Sequence, residues 1–71
     1  MNTYFIYYMI CFENNVIGYF DCILDFKDIY GKADIIDLKL ELIKKHSIPL
    51  FFLNTDRIVI VNFKILKRIS D

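Results

Sequence analysis

The chain has 71 residues, of which 56% are hydrophobic, and it contains only two glycines and one proline. This composition excludes a disordered chain or a linker, because such segments are poor in hydrophobic residues. The length predicts a single domain over residues 1–71. Nine basic and nine acidic residues give a formal net charge of zero, whereas proteins dedicated to duplex DNA usually carry a basic surplus.

An apolar run near the start of the chain extends over the nine residues from Tyr4 to Phe12. No basic segment precedes it and no small-residue cleavage site follows it, so we expect no signal peptide. The run is also much shorter than the roughly 20 residues that a membrane-spanning helix needs. We therefore expect a cytoplasmic protein without a membrane partner, in which Cys11 and Cys22 remain thiols.

The first half of the sequence predicts a β-hairpin. Residues 3–12 and 16–26 are rich in β-branched and aromatic types, which favour strands. Residues 13–15 (Glu-Asn-Asn) form a turn signal between them, since asparagine tolerates a positive φ. Residues 27–33 read as a connecting loop.

The second half predicts one helix and one or two strands. Asp34 is the expected N-cap of a helix that runs to about His46 and ends before Pro49. Residues 50–53 read as a short strand and residues 57–66 as the last strand. The order is ββαββ, or ββαβ if the short segment is only extended. The predicted fold class is α+β, with a small antiparallel sheet of three or four strands and one helix packed on one face.

The two faces of the hairpin follow from the assumed turn. A two-residue loop at 14–15 places a nearly apolar set of side chains on one face of the hairpin, and we expect the helix to pack against this face. The set consists of Phe5, Tyr7, Met9, Cys11, Gly18, Phe20, Cys22 and Leu24. The opposite, outer face is the candidate interface: Tyr4, Ile6, Tyr8, Ile10, Tyr19, Asp21, Ile23 and Asp25. In the last strand, alternation assigns Val59, Val61, Phe63 and Ile65 to the core and Ile58, Ile60, Asn62 and Lys64 to the outside.

The outer face is unusually apolar for a sheet that one helix covers on one side only. Isoleucines on such a face form a patch that typically marks an interaction site, and tyrosines suit an interface because one end is apolar and the other polar. The alternative is that the tail and loops bury both faces within one chain. We expect a protein target, a second copy of the chain, or both, bound through this outer face or through one flank of the helix, whose apolar arc is wider than a surface helix needs.

Few residues could support chemistry. His46 is the one histidine of the sequence and has no nearby ligand set for a metal site. Asp21 and Asp25 are separated by four positions, or about 13 Å along a strand, which is too far for paired carboxylate catalysis. We expect no enzyme activity, no catalytic residue, no metal and no cofactor.

The order of segments resembles that of many short proteins encoded by bacteriophages and other mobile elements. The resemblance is carried by TYFIYYMI, GYFDCILDF, ADIIDLKLELIKKH and RIVIVNFKILK, and the short segment 50–53 departs from it. Members with known roles include small inhibitors of host defence, anti-CRISPR proteins among them, which block their targets by binding. The resemblance implies a non-catalytic inhibitor or accessory protein that binds a host protein complex.

The alternative function is a small nucleic-acid-binding module. It would use the basic residues of the second half: Lys39, Lys44, Lys45, Lys64, Lys67 and Arg68. Residues 13–37 hold six acids and two bases, whereas residues 39–71 hold seven bases and three acids. This charge asymmetry is expected to be ordinary solvated charge, and the alternative is a charge dipole that steers a partner.

Overall fold

The structure, a computed structural model, describes residues 1–46 and 55–69. Strand β1 (Asn2–Phe12) and strand β2 (Asn15–Phe26) are followed by helix α1 (Lys32–His46), a 3-10 turn (Thr55–Arg57) and strand β3 (Ile58–Arg68). The described strands form one antiparallel sheet of three strands in the order β2-β1-β3. The predicted α+β class with a ββαβ order is confirmed, and the strand expected at 50–53 lies outside the described residues.

The hairpin turn lies one residue earlier than the sequence indicated. Phe12 pairs with Asn15, and the loop residues Glu13 and Asn14 have positive φ angles of 50° and 65°. Two consecutive positive φ values are typical of a type I′ turn, whose twist matches that of the two flanking strands. The register then shifts by one residue beyond Cys11, so that Ile10 pairs with Gly18. Ile17 is therefore the extra residue of a β-bulge.

This register corrects the predicted faces of β1. Because side chains alternate across a strand, a slip of one residue moves every side chain of β1 to the other face. The four β1 members of the candidate interface lie in the core, with exposed fractions from 0% to 5%: Tyr4, Ile6, Tyr8 and Ile10. Their expected position on the outer face was wrong.

Two further register shifts interrupt the alternation of β3. They fall opposite the steps Tyr7/Tyr8 and Thr3/Tyr4 of β1. Ile58 is consequently fully buried and Ile60 packs against the core, while Val59 is 39% exposed. The expected faces were wrong for these three residues. Beyond the first shift, Phe63 pairs with Ile6 and shares its face as expected.

The core lies between α1 and one face of the sheet. Leu38, Leu42 and Ile43 of the helix are at most 1% exposed, and they cluster with the buried residues of β1 and with Phe26 and Ile58. Deletion of such fully buried aliphatic groups typically costs about 2–5 kcal/mol for each residue. Among the residues that the structure describes, the helix thus packs on one face of the sheet and no second layer lies on the other.

The start of α1 differs slightly from the prediction. The helix begins at Lys32, and the amide of Ile35 donates to the carbonyl of Gly31 at 3.2 Å, which makes Gly31 the N-cap. Asp34 is the third helical residue, and its carboxylate accepts from the amides of Tyr30 (2.9 Å) and Gly31 (3.3 Å). A side chain that reaches back in this way satisfies amides at the helix start.

A candidate protein-binding surface on the open face

The sheet face that points away from α1 is termed the open face. Its members follow from the register, because residues directly opposite each other on paired strands point to the same side. They are Thr3, Phe5, Tyr7 and Met9 of β1, Tyr19, Asp21, Ile23 and Asp25 of β2, and Val59, Asn62, Lys64 and Lys67 of β3. Burial agrees with this assignment, since the odd-numbered residues of β1 from Thr3 to Met9 are only half-buried while the even-numbered ones are buried.

The middle of the open face is apolar and aromatic. Phe5, Tyr7 and Met9 form its central row and are half-buried between the outer strands. The rings of Tyr7 and Tyr19 stack with centroids 6.0 Å apart and an interplanar angle of 11°. Tyr19 and Ile23 are 59% and 58% exposed. This combination of stacked tyrosines, methionine and aliphatic side chains matches the composition enriched in protein interfaces.

Charge is separated between the two edges of the open face. The β2 edge carries Asp21 and Asp25, whereas the β3 edge carries Lys64 and Lys67. All four side chains are exposed. The two edge strands flank β1 and are therefore roughly 10 Å apart. Part of the charge asymmetry between the two halves of the sequence thus forms an acidic edge and a basic edge of one surface.

The hydrogen bonds and ion pairs leave these charges available. The hydroxyl of Thr3 donates to Asp25 Oδ1 at 2.6 Å, which holds one carboxylate above the β1 row. Within the described residues, the ion pairs join other side chains: Lys27 with Asp34 and Asp37, Lys44 with Glu41, and Arg68 with Asp28. None of them involves a charge of the open face.

The structure places the predicted interface residues in two groups. Tyr19, Asp21, Ile23 and Asp25 lie on the open face, as the sequence indicated. The four predicted residues of β1 are in the core instead. Tyr4 shows why a tyrosine can be buried there: its hydroxyl donates to the carbonyl of Lys27 at 3.1 Å and accepts from Asn2.

Sequence reasoning missed six members of the open face: Thr3, Phe5, Tyr7, Met9, Val59 and Lys67. Phe5, Tyr7 and Met9 were assigned to the core because the assumed turn was shifted by one residue, and no charged residue between Thr3 and Phe12 distinguishes the two faces of that strand. The β3 members Asn62 and Lys64 were placed outside but were not linked to the acidic edge, because the strand order was unknown. The signal that could have linked them is the charge asymmetry between the two halves of the chain.

The basic residues proposed for nucleic acid do not form one patch. Lys39, Lys44 and Lys45 are on α1, which packs against the face opposite to Lys64 and Lys67. Arg68 pairs with the buried Asn2 and therefore lies on the same side as α1. The six basic residues are thus divided between the two faces of the sheet.

Burial changes the pKa of two ionisable groups in or beside the core. Burial, followed by the nearby Cys22 and Asp21, raises the pKa of Tyr8 to about 12. Burial also raises the pKa of the Cys22 thiol, and a raised pKa lowers the thiolate fraction that makes a cysteine nucleophilic. Cys11 and Cys22 are both free thiols, but they lie on opposite faces of the sheet, not on one face as predicted.

Within residues 1–46 and 55–69, no group of three or more histidine, cysteine or acidic residues is arranged to hold a metal ion. No helix in this part of the chain is long and apolar enough to cross a membrane. No known protein family, curated protein or solved structure matches the chain.

Proposed function

We propose that this protein is a non-catalytic protein-binding module that docks its partner on the open face. The observation that carries the proposal is the uncovered apolar centre of that face. The single described helix covers the opposite face, so Phe5, Tyr7 and Met9 have no layer above them within the described residues. Two-layered domains normally bury such a surface against another layer.

The energetics favour a macromolecular partner. Burial of an exposed aliphatic or aromatic side chain contributes about 1.5–3 kcal/mol. Ile23 and Tyr19 are more than half exposed and flank the central row, so a flat partner surface would bury several such side chains at once.

The resemblance to small proteins of bacteriophages and mobile elements extends the proposal. The protein would act as an inhibitor or accessory factor, as anti-CRISPR proteins do, by binding a host protein complex through the open face. The proposed place of this activity is the cytoplasm, where both cysteines would remain thiols.

Site-specific photocrosslinking tests the proposal. The photoreactive residue p-benzoylphenylalanine replaces Tyr19, which is on the open face, or Tyr30, which lies outside the sheet and is 87% exposed. The two positions form a matched pair, since both are exposed tyrosines. We expect protein adducts in the native host after irradiation of the Tyr19 variant, and few after irradiation of the Tyr30 variant.

The opposite distribution contradicts the proposal. Adducts that form equally at both positions, or form only at position 30, would show that the open face is not the binding surface. An absence of protein adducts at position 19 would have the same meaning, provided that circular dichroism shows the variant to be folded.

A further inference from the structure

We infer that the open face binds a second copy of this chain, face to face, with the two-fold axis parallel to the strands. The inference rests on the proposed function, because it names the partner of the same surface. It is carried by a second observation, which is the position of the four charges at the edges of the open face. A symmetric pair brings one surface against itself, so that surface has to be its own complement.

Across the sheet, the charges and the neutral residues follow one order. The β2 edge carries two carboxylates, the central strand β1 carries no charge, and the β3 edge carries two ammonium groups. The described open face therefore has zero net charge but a strong separation of charge across its width. A partner that matches it presents a basic edge above β2 and an acidic edge above β3.

The second copy meets this requirement in only one of two face-to-face arrangements. Rotation by 180° about an axis parallel to the strands exchanges the two edges, so that the acidic edge of each copy lies above the basic edge of the other. Rotation about an axis that crosses the strands places each edge of one copy above the same edge of the other copy, so that like charges face each other. Like charges that face each other across an interface cost several kcal/mol, so charge selects the first arrangement.

The register makes the selected arrangement specific. Asp25, Thr3 and Lys67 lie in one row across the sheet, because both outer residues pair with Thr3. Rotation about the strand axis preserves this row, so Asp25 of one copy is brought above Lys67 of its partner. Lys64, which pairs with Phe5, comes between the levels of Asp21 and Asp25 of the other copy.

The central row supplies the apolar part of the same interface. An axis above β1 brings Phe5, Tyr7 and Met9 opposite their own equivalents, as residues near a two-fold axis are. Aligned sheets pack about 10 Å apart with interdigitated side chains. The interface would then have an apolar centre and a charged rim, which is the usual anatomy of a protein interface.

Sedimentation equilibrium with charge-reversed variants tests the arrangement. The wild-type chain of 8.5 kDa is expected to form a species of twice that mass. One variant carries D21K and D25K, so that both of its edges are basic, and the other carries K64D and K67D, so that both are acidic. Each variant alone is expected to sediment as a single chain, because like charges meet at both edges.

Two recombinations of the charges distinguish a loss of charge complementarity from misfolding: a mixture of the two variants, and a single chain that carries all four substitutions. A mixture of the basic-edged and acidic-edged variants restores opposite charges at both edges, and we expect a heterodimer. A single chain with all four substitutions has its edges exchanged but is again its own complement, and we expect it to dimerise like the wild type. If neither recombination restores association, the assigned arrangement is wrong.

Crosslinking of the unmodified protein gives a second test that needs no variant. A carbodiimide joins carboxylates to amines in direct contact, and a mixture of normal and isotope-labelled chains identifies links between two copies. We expect mixed-isotope links from Asp21 or Asp25 to Lys64 or Lys67. Mixed-isotope links that join only other sites would overturn the arrangement.

The experiments can reject a second copy of the chain as the partner without contradicting the proposed function. A wild-type protein that remains a single chain at all concentrations overturns the second copy as partner. In that case, adducts between position 19 and other proteins would still support the open face as a binding surface. Persistence of the dimer in both charge-reversed variants overturns the assigned arrangement while leaving self-association established.

Discussion

Replacement of two isoleucines on opposite faces of the hairpin gives the sharpest check on the register. Ile6 is fully buried beneath α1, whereas Ile23, on the open face, is 58% exposed. The same change to alanine at both positions removes the same atoms from the two environments. In the register expected from the sequence alone, both isoleucines would lie on the outer face and both changes would be mild.

The structure predicts very different costs. Ile-to-Ala removes three carbon groups worth about 0.8 kcal/mol each when buried, and the cavity left at position 6 raises the loss for Ile6→Ala to about 2–5 kcal/mol. Less than half of Ile23 is buried and no enclosed cavity would form, so Ile23→Ala should cost about 1 kcal/mol or less. A domain of this size has a total stability of about 4–11 kcal/mol, so the first change is severe.

Urea unfolding followed by far-ultraviolet circular dichroism measures both costs by linear extrapolation. The protein concentration is kept where sedimentation shows single chains, so that loss of association does not add to the result. Equal losses for Ile6→Ala and Ile23→Ala would refute the assigned faces of the hairpin, as would a greater loss for Ile23→Ala.

The remaining predictions concern ionisable groups. The backbone amide of Tyr30, followed by the side chain of Lys27, lowers the pKa of Asp34 below its ordinary value of 3.8. The stabilisation is therefore complete above about pH 4 and is lost as the pH falls further. Asp34→Asn should lower the urea midpoint at pH 7, and the difference from the wild type should shrink as the pH is lowered below about 4; a difference that does not change with pH would contradict this. Tyr8 has a pKa of about 12 and so holds its proton more tightly in the folded state than in the unfolded state. Its contribution to the free energy of unfolding is therefore complete below about pH 10 and is lost as the pH rises towards 12. Tyr8→Phe should remove this part of the alkaline loss of stability, and an unaltered pH profile of stability would argue against the assignment. The raised pKa and partial burial of Cys22 predict that its thiol reacts slowly with a thiol reagent at pH 8 and faster when urea unfolds the protein. A Cys11→Ser variant leaves Cys22 as the one thiol to be measured. Rapid reaction in the folded state would contradict its burial.

The acidic half of the open face was predictable because the charged residues of β2 show which face of that strand is exposed to solvent. Asp21 and Asp25 are each two positions from Ile23, so the three share one face, and a charged residue strongly prefers solvent to an apolar core. The same alternation placed Phe20 and Cys22 towards the core, where they pack. The separation of acidic from basic residues along the chain was likewise visible before the fold was known.

The same argument could not predict which side chains of β1 face the helix. Neither of its faces carries a charge, and both Tyr4-Ile6-Tyr8-Ile10 and Phe5-Tyr7-Met9 are apolar enough for a core. A turn shifted by one residue and the bulge at Ile17 decide which set meets α1. Two bulges in β3 reverse its alternation in the same way.

The amino-acid sequence by itself determined the two hairpin strands, the helix and the last strand of this protein, its fold class and the excess of apolar side chains over what one helix can cover. The tertiary structure alone decided which side chains remain uncovered and that the acidic and basic residues lie on opposite edges of one surface. The physical reason is that strand type and helix type depend on local preference and periodicity, whereas register depends on backbone geometry at turns and bulges, and strand order depends on how the whole sheet packs.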